Sequence, residues 1–290
     1  MSRSSFGRGD NEGVRWWCWL FALTLASCAG EGVLPPATTS TLQASGSPCD
    51  DWGAPVVTGR LADPALREVS GLVASRAHPG VLWVHNDSGG TPLLWALDSS
   101  GGTRATLELA GAQAYDWEAA SLGPGPGGDY LYVADTGDNL AARPHVVLYR
   151  VAEPSVVAGE LQGQATALRV VYPDGPHDVE AMFVDPATGD AYLIAKVVLG
   201  SSPVFRVPAS AWGGPEATAE PAAALRLGLL PATAADLSPD GQALVVRTYG
   251  AVLLFLRPEG SALAAIFEAV PCRLLAPPEA QGEAVAWDGE

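Results

Sequence analysis

The sequence predicts an all-β fold, a β-propeller of about five four-stranded blades (six at most) whose last blade is incomplete. Three observations predict it. A unit of two apolar strands and a turn recurs about every fifty residues, with starts at Ser70, Glu118, Glu180, Thr233 and Glu283, spaced 48, 62, 53 and 50 residues apart. The turns within the units carry Pro and Gly at the positions where a turn needs a fixed or a positive φ, as in Asp185-Pro186-Ala187-Thr188-Gly189 and Ser238-Pro239-Asp240-Gly241. No helical period competes beyond the first 28 residues.

The elements follow in order. Each unit opens on a strand such as Ser70–Ser75, Glu118–Leu122, Glu180–Val184 or Thr233–Leu237. A second strand returns at Val81–Asn86, Tyr130–Asp135, Ala191–Lys196 and Ala243–Thr248. Third strands are expected at Leu93–Asp98, Val146–Val151, Val204–Val207 and Val252–Leu256, and fourth strands at Thr106–Leu109, Ala167–Tyr172, Ala224–Leu229 and Ala264–Val270. Four short antiparallel strands repeated radially are the propeller's solution to exposed sheet edges, and a β-sandwich would not keep the units in phase. Pro55–Leu61 precedes the first unit and is expected to complete the blade begun at Glu283. That blade has no second or third strand before Glu290, which predicts an open slot or exposed edge and points to a truncated chain.

The ends read as an address. Residues 1–27 have the plan of a lipoprotein signal peptide: a basic leader with Arg3, Arg8 and Arg15, then the apolar run Trp16–Ala26, too short to span a bilayer. Leu25-Ala26-Ser27-Cys28 looks like a bacterial lipobox, which implies diacylation at Cys28 and cleavage before it; the alternative is an ordinary small-residue cleavage site. Residues 28–48 are a lipidated Cys and a polar spacer, and the propeller domain occupies 49–290. The expected location is therefore extracytoplasmic, with the membrane as a partner through the anchor. Beyond residue 28 the chain has 13 basic and 30 acidic residues, a formal charge of −17, and Lys196 is its one lysine. Such a surface excludes nucleic-acid binding. Export permits a disulfide between Cys49 and Cys272; two free thiols are the other reading.

The stretches Val69-Ser70-Gly71-Leu72, His78–Gly89, Asp116-Trp117-Glu118-Ala119, Tyr130–Asn139 and His177-Asp178-Val179-Glu180-Ala181 resemble a group of uncharacterised secreted bacterial β-propeller proteins. That group is distantly similar to NHL, gluconolactonase-like and phytase/esterase-like propellers. The resemblance implies the fold over about residues 55–287 and transfers little chemistry, since propellers host lyases, hydrolases and pure binding proteins alike.

Strand direction places the candidate site. The start of each first strand and the end of each second strand share one end of a blade, so Ser70 with Asn86, Glu118 with Asp135, Glu180 with Lys196 and Thr233 with Thr248 are expected around one channel mouth, joined by Glu283. Asp87, Asp138, Asn139 and Arg247 lie just beyond. Converging carboxylates there suit a hard cation such as calcium, or acid–base catalysis, with Lys196 and Arg247 holding an anionic substrate group. The same residues also suit plain turn chemistry and ion pairing within a blade. His85 and His177 lack the further His or Cys of a transition-metal set, and Ser88 has no nucleophile-elbow context. The function expected is an anchored module that binds a protein, small molecule or glycan, with a calcium-dependent hydrolase or lactonase as the alternative.

Overall fold

The computed structural model describes residues 2–5, 49, 52–276, 279 and 281–288. Contacts divide the chain into a large unit, Met1–Phe6 with Ala54–Glu290, and a second unit, Gly7–Gly53. The expected signal peptide, lipid site at Cys28 and spacer fall, apart from Ser2–Ser5, outside the described residues. Cys49 and Cys272 form a disulfide.

The large unit is a propeller of four blades. β1 (Ser2–Ser5) pairs antiparallel with β2 (Val56–Arg60). Blade one begins with β3 (Val69–Ala74) and β4 (Leu82–Asn86); β5 (Ser88–Gly90) then crosses to the next sheet before β6 (Leu93–Leu97) and β7 (Thr103–Ala110) finish the blade. Blade two comprises β8 (Ala114–Gly125), β9 (Gly128–Asp135), β10 (Val146–Ala152) and, after the excursion β11 (Gly159–Gln164), β12 (Thr166–Val171). Blade three comprises β13 (Val179–Val184), β14 (Ala191–Ala195), β15 (Ser201–Val207) and, after β16 (Glu216–Thr218), β17 (Glu220–Arg226). Blade four is β18 (Ala232–Leu237), β19 (Ala243–Thr248), β20 (Ala251–Leu256) and β21 (Cys272–Leu274).

The inner strands β3, β13 and β18 and the central Trp117–Gly123 run of β8 are almost wholly buried, as strands covered on both faces must be. Apolar side chains alternate between the two faces of each blade and fill the gaps between blades. Trp83, Leu107, Trp117 and Leu131 join blades one and two; Tyr132, Leu168, Met182 and Phe205 join two and three; Phe183, Ile194, Leu244 and Phe255 join three and four. Two outer edges are covered by strands lent from the next blade, β11 pairing parallel with β7 and β16 parallel with β12. Periodicity does not reveal these strands, because Gly159–Gln164 carries one apolar side chain, Leu161, among polar and glycine positions.

Three expectations change. The blades number four, and the fifth start at Glu283 forms no strand. It nevertheless occupies an inner-strand place: Trp287 N donates to Asp236 Oδ2 at 2.8 Å, just as Val184 N donates to Ser121 Oγ at 3.0 Å, and the four residues hold equivalent repeat positions. Pro55–Leu61 does not complete that blade. Besides β1, its neighbour is the turn between β6 and β7, where Arg60 N bonds Ser100 O at 3.0 Å and Ala62 N bonds Gly101 O at 3.3 Å. The fourth strand of blade four is Cys272–Leu274; Leu263–Glu268, most of the segment expected to supply it, is a short 3-10 helix that buries Ile266 and Phe267.

Candidate functional site at the axial pole

All four inner strands break register at the same repeat position. The shifts fall between Val69 and Gly71, Trp117 and Ala119, Val179 and Ala181, and Ala232 and Ala234. The residue left over in each case is a repeat start: Ser70, Glu118, Glu180 or Thr233. A bulge bends its strand and re-aims the extra side chain. All four are buried. The Ser70 hydroxyl reaches Glu118 on the neighbouring blade, and Thr233 Oγ1 donates to Gly282 O at 2.6 Å, next to Glu283.

Asp87, Asp116 and Glu118 each bring one oxygen within 4.8 Å of the other two. Asp87 is set by its backbone N–H, which donates to Glu68 O at 2.8 Å just beyond the end of β4. Asp116 is set by the turn after β9, whose Thr136 and Gly137 amides donate to its carbonyl at 3.1 and 3.2 Å. Gly137 is required here by close approach, since a Cβ would collide with Asp116 Oδ2 and Glu118 Oε1. Asp87 Oδ1 is shielded from solvent with no hydrogen-bond partner.

Burial and like charge raise these carboxyls together. Glu118 is pushed up to about 9, by burial first and then by Glu180, Asp87 and Asp116. Asp116 rises to about 6 through burial and Asp87, with Arg143 opposing. Asp87 and Glu283 also rise, burial leading in both. Glu180 reaches about 7 because burial outweighs its bond to Lys196.

The remaining candidates have structural partners. Asp135 accepts Arg143 Nη2 at 2.9 Å, and Asp138 holds the following loop through the Ala142 and Arg143 amides at 2.9 and 2.7 Å. Asn86 clasps the segment before β3 through Arg67 N at 3.0 Å and Ala65 O at 2.8 Å, while Asn139 is exposed. Lys196 is bonded to Glu180 and lies over the Tyr249 ring. Arg247 is buried and paired with Glu279 at 2.7 Å. Both cations therefore already hold carboxylates. His85 is buried against Trp117, with ring centroids 5.5 Å apart, and burial lowers it to about 4. Its Nδ1 lies 2.8 Å from Asn86 O, which makes it a neutral packing residue.

Sequence reasoning missed Asp116, Glu68 and Asp178 as pole residues. Asp116 stands two positions before Glu118 on one strand, and that spacing was the available signal. Asp178 Oδ1 accepts the Asp138 N–H at 2.8 Å, a contact between blades that no local pattern encodes.

No family model and no curated protein matches the chain. Among solved structures it is similar to the PQQ-bound aldose sugar dehydrogenase of Streptomyces coelicolor, at 13% identity and TM-score 0.46 over 79% of this chain and 88% of that one. It is also similar to the Swd1 propeller domain of Myceliophteria thermophila Cps50, at 18% identity and TM-score 0.37 over 67% of this chain and 53% of that one. The chain thus spans about half the length of the second. These likenesses concern the fold alone. The disulfide fits an extracytoplasmic location, and no described helix is long and apolar enough to cross a membrane.

Proposed function

We propose that the protein is a binding module, exported and anchored by a lipid on Cys28, whose axial pole holds a hard divalent cation of the calcium type. One observation carries the cation: three carboxylate oxygens lie within 4.8 Å of one another around a buried, unpartnered Asp87 Oδ1. Oxygens that ligate one calcium at about 2.4 Å stand at most about 4.8 Å apart, and these three meet that limit. The donor set is oxygen only, which disfavours zinc and copper. A cation there would supply the positive charge that Asp87, Asp116 and Glu118 lack. Glu180 and Glu283 stand close enough to strengthen its field. The pole of such a module would present its ligand with a metal-bound face.

Titration calorimetry of the mature protein with calcium tests this reading. A saturable signal that disappears in Glu118→Gln/Asp116→Asn supports it, and no heat beyond dilution ends it. For the anchor, acyl labelling of the wild type and of Cys28→Ser decides, because only a lipobox cysteine takes up label in a cysteine-dependent way.

A metal-dependent hydrolase or lactonase is the second reading. It is favoured by Glu180, a buried carboxyl beside Glu118 but outside the three-oxygen set, raised to about 7 and so able to exchange a proton near neutral pH. A panel of phosphoesters, esters and lactones with calcium present tests it, and absence of turnover leaves the binding module alone.

A further inference from the structure

A second concave site lies at the other ends of the strands that carry Glu118 and Glu180. The turn Pro124-Gly125-Pro126 joining β8 to β9, the turn at Thr188-Gly189 joining β13 to β14, and the 3-10 turn Ala209–Gly213 enclose a cleft of about 530 Å³ between blades two and three. That volume falls within the range of small-molecule sites. Arg150 on β10 and Trp212 line it.

Arg150 is held as a ligand-binding arginine is held. Its guanidinium carbon lies 4.4 Å from the Trp212 ring centroid and 5.5 Å from that of Tyr130. The Tyr132 hydroxyl serves it as an acceptor and itself donates to Pro124 O at 2.7 Å. Flanking rings and a fixed acceptor pre-orient the planar fork. Yet no carboxylate of the described residues pairs with it, whereas Arg143, Arg206 and Arg247 each hold one at 2.7–2.9 Å.

Two residues that line the cleft also carry donors left without an acceptor. Arg150 Nε and Trp212 Nε1 are both shielded from solvent and lack an acceptor, and Trp212 as a whole is only 9% exposed. Buried N–H groups are ordinarily paired, and leaving one unpaired costs about 1–3 kcal/mol. An incoming carboxylate offers four lone-pair sites and meets an arginine edge through two parallel bonds. Ser210 supplies an exposed hydroxyl on the same wall, whereas the Thr188 hydroxyl is held in its own turn by Asp185 and the Asp190 amide.

We infer that this cleft, on the face away from the acidic pole, binds a small carboxylate ligand with Arg150 as its anchor. The Ser210 hydroxyl beside the anchor suits a carboxylate borne on a sugar, so galacturonate, acetate and galactose are the probes to compare. Calorimetry and tryptophan fluorescence of the full mature protein should give saturable binding with galacturonate. Acetate binding as well assigns the site to the carboxylate alone, and silence from acetate assigns it to the sugar acid. Arg150→Lys keeps the charge but loses the fork, and should weaken binding about tenfold. Ser210 is exposed, so Ser210→Trp should fill the cleft and abolish binding with an unchanged melting transition, which keeps the test valid if an Arg150 variant folds poorly. Galactose binding as tightly as galacturonate, no binding of any probe, or carboxylate binding that survives both substitutions would overturn the inference.

Discussion

The Ser70 hydroxyl of blade one stands 2.9 Å from the carbonyl oxygen of Glu118 and 3.1 Å from its Oε2, on the inner strand of blade two. A hydroxyl has one hydrogen and here faces two acceptors. The conflict disappears when Glu118 is protonated: its O–H donates to Ser70 Oγ, and Ser70 donates to the carbonyl. Burial among Glu180, Asp87 and Asp116 drives Glu118 toward that state. The seam between two blades thus depends on the charge state of the pole, and a cation is the natural competitor of its protons.

Removing charge at the pole should stabilise the cation-free protein at alkaline pH and abolish its response to calcium. Glu118→Gln keeps the shape and removes a carboxyl that ionises only as pH passes about 9, so its melting temperature in chelator should match that of the wild type at pH 7 and exceed it at pH 10. Addition of calcium should raise the wild type and leave the variant unmoved. Melting curves in chelator and in millimolar calcium, read by differential scanning fluorimetry, check both halves.

Stability without a cation should fall as the solution becomes alkaline. Glu118 is raised from 4.5 to about 9 and Asp116 from 3.8 to about 6, so the folded chain keeps protons that the unfolded chain releases. Their stabilisation is complete below pH about 4 and is lost as pH rises through about 6 and then about 9. His85 acts oppositely, because its value drops from 6.5 to about 4 and its neutral form gains stability as pH climbs through that window. His85 cancels only one of these carboxyls below pH 6.5, and Glu180 and Asp236, both raised to about 7, add to the fall, so the decline spans about pH 4.5 to 9. Chemical denaturation in chelator across that range measures it, and calcium should flatten the slope.

Gly137→Ala should damage fold and site together. The new methyl meets two carboxylates whose strand is fixed by four blades of packing, so a loss of about 1–3 kcal/mol is expected, together with weaker calcium binding. Urea denaturation with parallel calorimetry reads both quantities. A variant of full stability would mean that the turn after β9 is free to shift.

Asp236→Ala should loosen the segment around Trp287 while the first three blades stay intact. Asp236 accepts both the Trp287 and the Leu237 backbone N–H groups, at 2.8 and 3.0 Å. Hydrogen exchange should show protection lost at 282–287 and unchanged in β8, whose equivalent bond is Ser121 Oγ to Val184 N.

The repeat itself was legible in the chain. Glu118, Glu180 and Thr233 recur at matching points between apolar strands, and a strand's two-residue period says which end of the blade each one takes. Turn chemistry at Pro186–Gly189 and Pro239–Gly241 located the hairpins for the same local reason. Phase alone assigned Glu118, Asp135, Glu180 and Glu283 to one end of the blades, with Asp87 and Asp138 just beyond. What phase cannot express is contact between units distant in sequence. Only the folded chain decided that Asp116 rather than Asp135 completes the Asp87–Glu118 cluster, because a bulge at Glu118 turns both carboxyls inward while Arg143 claims Asp135. Tertiary packing likewise set the blade number at four, the parallel edge strands β11 and β16, and the meeting of Arg150 with Trp212. Each depends on which surfaces bury one another, and burial is a property of the assembled chain.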